Sequence, residues 1–325
     1  MPSTTSRAVS RSLPRAMPTA RRDRAILLMI CVAIAAMLAY AHRVSVDEPN
    51  KEDILRRHEN LVGNLENDPF QYKYVVVAKV LQRAADATKI GVFDLYSIHG
   101  FLSLLAFLLA HQLWIGRLYG PRTGITGTLL LAAILHAYFQ GKQHYPYDFW
   151  GAAGFCLLIS AAGRNARLLV LCGLALVTGF VFDKHVLVPV LWAWLRYRDG
   201  EPWKKVVPKA LAFLVFALAG PVVIRILCGT DRPIADVTAL SDQSWGRAAA
   251  HHLPLILPFL VVLFAVGRDV PPWVRLLWIH VPVLALAYLI RSRPIDEVMS
   301  FWPFLPIFTA TGCAWWRKID SPSEA

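Results

Sequence analysis

The chain alternates between long apolar runs and short polar segments from residue 25 to its end. Apolar runs with few charges are typical of membrane-spanning helices, and they number about ten, within a range of about eight to eleven, because several are short or contain proline. The pattern predicts an all-α fold, in which residues 25–325 form one polytopic bundle of transmembrane helices. The apolar runs cover residues 25–41, 95–116, 123–140, 147–163, 167–182, 185–195, 206–228, 253–267, 273–290 and 301–316.

A polar triplet in mid chain divides an apolar stretch that is too long for one span. The triplet is Asp183, Lys184 and His185, and it predicts the tip of a tight hairpin. The two helices of such a hairpin are too short to extend its tip far beyond the bilayer. We therefore expect the Lys184 side chain to lie within the membrane, in a shared polar cavity. Arg225, inside another apolar run, is expected to snorkel outward or to meet a phosphate.

The composition supports a lipid-embedded protein. Hydrophobic residues make up 56% of the chain and charged residues 17%, whereas soluble proteins carry about 25% charged residues. The mean hydropathy is +0.45. A water-soluble fold of this size would have to expose a large apolar patch, so we exclude that class.

The first residues are expected to form a basic, disordered cytosolic tail at 1–24, followed by a first membrane helix at 25–41. The alternative is a cleaved signal peptide, because Ala39-Tyr40-Ala41 resembles a cleavage site behind a basic region and Met17 could be an alternative start. In both cases the residues after Ala41 lie on the far side of the membrane.

The positive charge of the chain indicates orientation. The formal net charge is +12, and alternation of the spans places nearly all of this excess in the short turns on the side of the amino terminus. Both termini are therefore expected in the cytosol, most simply across a bacterial inner membrane. No basic surface is left over, so nucleic acid is not an expected partner.

The outer face holds most of the acidic residues, and its longest segment is 42–94. Asp47 and Glu48 lie just beyond the first span, near the lipid headgroups. Judged from residue types alone, a role as caps of the following helix explains these two acids more simply than a catalytic role. Two helical patterns follow, at 52–65 and 74–87, and such amphipathic helices beside a span are expected to lie in the membrane interface.

The histidines and cysteines have no metal-ligand spacing. The five cysteines lie in apolar runs without a CxxC pair, and histidines such as His111, His136 and His280 are isolated within apolar segments. We interpret both groups as interior residues. Nucleotide-binding and hydrolase signatures are also missing from the sequence, which disfavours those classes.

The order of these parts resembles the GT-C class of integral membrane glycosyltransferases. That order is a first span, an early acidic pair, two juxtamembrane helices and a bundle with short cytosolic turns. Motif-like runs stand at Tyr72-Lys73-Tyr74-Val75, at Phe182-Asp183-Lys184-His185 and at residues 297–306. Lys73 and Met299 stand where the class has arginine, and the large outer carboxy-terminal domain of the class is missing from this sequence. Because of these departures, a non-catalytic member of the class stays an alternative.

The resemblance implies transfer of a sugar from a polyprenyl-phosphate donor to an acceptor on the outer face. Asp47 would be the general base, with Glu48 as the second choice. The resemblance also allows a divalent metal ion as a cofactor. The donor phosphate would be bound by Lys73, Lys184, Arg225, Arg291 and Arg293. The substrate would be oriented by Tyr72, Asp148, Asp183, His185 and Glu297.

Two other functions remain open. A transporter or lipid flippase would use the same outward cavity but needs polar residues through the midplane, and the sequence has few of these. A non-catalytic membrane assembly protein would need neither the cavity nor those residues.

Overall fold

The computed structural model describes residues 21–46, 48–63, 72–139, 148–181, 184–228, 257–283 and 305–320. Within these ranges every regular element is a helix, and no strand occurs. The all-α prediction is therefore confirmed for the described part of the chain. The helices are α1 (Arg21–Ser45), α2 (Glu48–Val62), α3 (Tyr72–Thr88), α4 (Val92–Tyr119), α5 (Pro121–Phe139), α6 (Asp148–Gly163), α7 (Leu168–Gly179), α8 (Leu187–Arg198), α9 (Trp203–Cys228), α10 (Leu257–Val266), α11 (Pro272–Leu277) and α12 (Leu305–Asp320).

Three of these helices are long and apolar enough to cross a membrane. They are Ala25–Ser45 within α1, Val92–Tyr119 and Trp203–Ile224 within α9, while α7 and α10 are apolar but shorter. Large apolar side chains face outward from the short helices, and Leu169 and Phe264 are 84% and 85% exposed. Such exposure is unfavourable in water and normal against lipid, so this is an integral membrane protein.

Helix α4 lies at the centre of the bundle, against α1, α5 and α6. Midway along it, the His111 Nε2 atom lies 2.6 Å from Thr309 Oγ1 of α12, and both side chains are fully buried. The Thr309 hydroxyl donates to the carbonyls of its own helix, so the imidazole Nε2–H donates to the hydroxyl oxygen. This bond joins the first third of the chain to its last helix.

The first helix is an integral part of this core. Helix α1 runs without interruption through Ala39-Tyr40-Ala41. Cys31, Ala35 and Leu38 are buried in the main core cluster, against α4 and α5. Cleavage after Ala41 would remove these contacts.

The short basic turns meet at one end of the bundle, which we call the basic end. The Arg117 guanidinium at the end of α4 contacts Ser160 near the end of α6. Lys318 near the end of α12 pairs at 3.4 Å with Asp269, which precedes α11. Tyr197 and Trp203 stack edge to face between α8 and α9, as expected for aromatic residues at a membrane–water interface.

Helices α7 and α8 lie on either side of the predicted hairpin tip, and both pack against α9. Each contains 12 residues, or about 18 Å at 1.5 Å per residue, which is shorter than the ~30 Å hydrocarbon core. A turn and a short 3₁₀ helix (Lys184–Val186) join them. The end of α7 lies directly against α9, where a Cβ atom on Gly220 would fall 2.6 Å from the Gly179 carbonyl carbon.

The two interfacial helices bury a narrow apolar face against the protein. In α2 this face includes Ile54 and Leu61. In α3 it consists of Val75, Ala78 and Leu81, whereas Val76 and Val80 are exposed. Helix α3 is thus apolar on two sides, one against α2 and α4 and the other available to lipid.

An ion cluster at the basic end gives a pH prediction. Hydrogen bonds from Lys209 and Arg196 lower the pKa of Glu201. A lowered pKa stabilises the fold above the usual carboxyl range, and that stability is lost as the pH falls through the lowered value. Because the Glu201 ion pairs are partly exposed, they contribute under about 1 kcal/mol to the free energy of unfolding. We therefore expect Glu201→Gln to melt about 2 °C below the natural protein at pH 7.

Melting temperatures measured against pH test this prediction. The gap between the two proteins should persist down to the usual carboxyl range and close below it. Glu59→Gln is the matched control, since Glu59 is exposed and has no ion pair with any described residue. A gap independent of pH would contradict the role of the Glu201 charge.

Candidate functional site

A narrow cleft opens at the end of the bundle opposite to the basic end, beneath α2. It is formed by the last turns of α1, the first turns of α4, and one residue each from α2 and α6. Its walls enclose about 30 Å³, which is room for one or two water molecules. The lining residues are Leu38, Ala39, His42, Arg43, Ile54, Phe93, Tyr96, Ser97, Gly100, Leu104 and Phe149.

The floor of this cleft is apolar, and its mouth carries two ion pairs. Arg43 lies at the mouth, where its guanidinium binds the Asp94 carboxylate at 2.7 Å, and both side chains are about half exposed. The Lys51 ammonium pairs with Glu48 at 3.4 Å and lies 5.6 Å from the centre of the Phe93 ring. A phosphate at the mouth would exchange with these two carboxylates for the same cations.

His58 holds the interfacial helices on the bundle. It is buried, its Nδ1 atom lies 2.7 Å from the Tyr96 hydroxyl, and its Nε2 atom lies 2.9 Å from Gln82 Oε1. The Gln82 amide nitrogen donates to Asp86, so Oε1 accepts from the Nε2–H of His58. The other ring nitrogen, Nδ1, is within hydrogen-bond distance of the Tyr96 hydroxyl, so the imidazole joins α2, α3 and α4.

Of the two predicted catalytic acids, the structure describes Glu48. This residue begins α2, its side chain is 80% exposed, and it pairs with Lys51 at 3.4 Å. It therefore faces water at the mouth and does not line the cleft. Asp47, the first choice for the base, lies outside the described residues.

Most of the other predicted site residues are also outside the described part of the chain. Asp183, Arg291, Arg293 and Glu297 are not described. Tyr72, Lys73, Asp148, Lys184 and Arg225 are placed on helices, but their side chains are not described. Their convergence on the cleft therefore stays a prediction.

His185, predicted to orient the substrate, lies in the interior of the bundle. It is fully buried in the 3₁₀ helix before α8. It interacts electrostatically with His280, which is also buried. His185 does not line the cleft, so its expected contact with a substrate there has no support.

The described residues contain no cluster of three or more histidine, cysteine or acidic side chains that could hold a metal ion. Cys31, Cys156, Cys172 and Cys313 are buried and unpaired with each other, as expected for small apolar residues.

The sequence did not single out Arg43 or Lys51. Arg43 lies at the start of the predicted outer segment, and its partner Asp94 lies 51 positions away. One signal was available, since both cations fall within four residues of Asp47.

Searches of known protein families, characterised proteins and solved structures found no match to this chain.

Proposed function

We propose that this protein is an integral membrane glycosyltransferase that moves a sugar from a polyprenyl-phosphate donor to an acceptor on the outer face of the membrane. The observation that carries the proposal is the cleft under α2, with its apolar floor and the cations Arg43 and Lys51 at its mouth. A lipid phosphate has the same division between a hydrocarbon chain and a charged head. The sugar is expected at the mouth and the hydrocarbon chain on the lipid-facing side of the cleft, because the enclosed floor is too narrow for either.

In the proposed reaction, the Asp47 carboxylate removes the proton from the acceptor hydroxyl. The acceptor oxygen then attacks the anomeric carbon, and the bond between that carbon and the phosphate oxygen breaks. Polyprenyl phosphate leaves with the electron pair, and its new negative charge is stabilised by Arg43 and Lys51. Lys73 and Arg293 remain proposed partners of the same phosphate.

The proposal includes a finer architecture than three spanning helices. We infer about ten spans with both termini in the cytosol of a bacterial cell, because the short turns are basic. The outer segment then carries α2 and α3 in the membrane interface. The acceptor could be a glycan, a lipid or a protein.

Transport is the second candidate function, and one observation favours it. His111, His185 and His280 are all buried in the bundle, and polar residues at this depth often mark a substrate path. A lipid flippase would move the lipid-linked sugar across the membrane without breaking a bond.

Reconstitution into proteoliposomes tests the two functions in one experiment. The vesicles contain a radiolabelled polyprenyl-phosphate sugar and a crude acceptor fraction from cell envelope. Label that appears in acceptor products, above the level of empty vesicles, supports the transferase. Label that crosses the bilayer while still attached to the lipid overturns it in favour of transport, and neither signal would favour an assembly role.

A further inference from the structure

A second cavity lies at the basic end of the bundle, far along α4 from the cleft under α2. It is formed by the end of α4, the end of α6 and the first turns of α7, and its volume is about 460 Å³. Volumes in this range are typical of sites that hold a small ligand. Arg117 and Arg164 lie at its rim, and its walls include Leu113, Leu157, Val170 and Leu174.

Neither arginine of this cavity has an acidic partner among the residues that the structure describes. Arg117 makes one hydrogen bond, at 3.3 Å to the Ser160 hydroxyl, and Arg164 makes no ion pair with any residue that the structure describes. The two guanidinium groups are close enough to interact electrostatically. Two like charges that share a cavity favour an anion between them.

The described acids at this end are already occupied. Asp199 pairs with Arg198, Asp269 pairs with Lys318, and Glu201 binds both Arg196 and Lys209. Within the described ranges, the protein itself therefore supplies no counter-charge to Arg117 and Arg164. An anion from the surrounding lipid or solvent can therefore reach both guanidinium groups.

The walls indicate what else that anion carries. Leu157 lies six residues before the end of α6, and Arg164 follows that end directly, so the apolar wall extends about 10 Å from the charges along α6. Val170 and Leu113 are 48% and 41% exposed. Through these two residues the cavity wall is continuous with the lipid-facing surface of the bundle. A free phosphate would leave this apolar wall bare, whereas an acyl chain would cover it.

We propose that Arg117 and Arg164 bind the phosphate of an anionic phospholipid, whose acyl chain lies along the apolar walls formed by α4, α6 and α7. Basic pockets between transmembrane helices on the cytoplasmic side commonly bind such headgroups. The positive-inside rule places the basic end on that side. This site is separate from the proposed sugar-transfer cleft and does not depend on that function.

Native mass spectrometry of the full-length protein in detergent tests the proposal. The probe is phosphatidylglycerol, compared with phosphatidylcholine of the same acyl chains. We expect Arg117→Gln/Arg164→Gln to lower the affinity for phosphatidylglycerol at least about fivefold. The matched control is Arg122→Gln/Arg275→Gln, which removes two basic-end arginines that do not line the cavity and should change the affinity less than about twofold.

Two further arms distinguish the lipid from other ligands. Val170→Trp narrows the cavity at an exposed wall position and keeps both arginines, so it should weaken binding as well. Glycerol phosphate, which has the head without the chains, should fail to displace the lipid. Equal displacement by glycerol phosphate, equal binding of phosphatidylcholine, or unchanged binding in either cavity variant would overturn the proposal.

Discussion

Asp47→Asn is expected to lower sugar transfer at least about 100-fold, which is the smaller end of the usual contribution of a general base. The amide has nearly the same size as the carboxylate but cannot take a proton from the acceptor hydroxyl. Expression and membrane insertion should not change, because one outer polar residue is exchanged for another. Incorporation of labelled sugar in proteoliposomes, at equal amounts of protein, measures the effect.

Glu52→Gln is the matched control for this variant. Glu52 is an exposed acid on the first turns of α2, so its replacement removes one charge from the same helix and should change transfer less than about twofold. Glu48→Gln should also be mild, since Glu48 faces water and pairs with Lys51. Full transfer by Asp47→Asn would remove Asp47 from the mechanism.

Gly220→Ala is expected to have the largest effect on stability. The new methyl group would lie 2.6 Å from the Gly179 carbonyl carbon and 2.8 Å from the Phe180 nitrogen. These are backbone atoms that cannot rotate away, so α7 and α9 must separate. Overpacking of this kind costs about 1–3 kcal/mol. Thermal unfolding in detergent measures it.

Gly173→Ala is the matched control on the partner helix. A Cβ atom on Gly173 would meet nothing within 4 Å, and alanine is the better helix former by about 0.5–1 kcal/mol. The two substitutions should therefore shift the melting temperature in opposite directions. Equal shifts would contradict the close contact between α7 and α9.

The reason for that contact is visible in α9 itself. Pro221 has no N–H, so the carbonyl of Ala217 one turn earlier has no helical partner. Gly179 approaches this carbonyl closely, since a Cβ atom at Gly179 would lie 3.3 Å from its oxygen. The apolar pattern predicts both helices, but it does not predict that two glycines and a proline let their backbones touch.

The sequence predicted the interfacial helices well because their pattern is local. Helix α2 begins at Glu48, four residues before the predicted start, since the acidic first turn adds to the helix without adding apolar residues. For α3 the spacing predicts an apolar face but does not tell which of its residues contact protein and which, like the exposed Val76 and Val80, are available to lipid.

The site was less accessible to the same reasoning. Its described polar contacts join residues that are far apart in the chain, such as Arg43 with Asp94 and His58 with Tyr96. Composition and spacing carry no information about which distant residues meet. Asp47 and Glu48 are candidates because they lie just after the first span, where the GT-C class has acidic residues, whereas Arg43 is a candidate only through the fold.

The bond between His111 and Thr309 has a consequence for biosynthesis. The two residues are separated by 198 positions, so at about 5–20 residues per second the ribosome needs roughly 10–40 s to supply the partner of His111. During that interval the imidazole is in the membrane without Thr309, and a polar side chain in lipid is costly. Until α12 is synthesised and packs into the bundle, helix α4 is therefore stabilised by the helices that are made before α12, or by the insertion machinery.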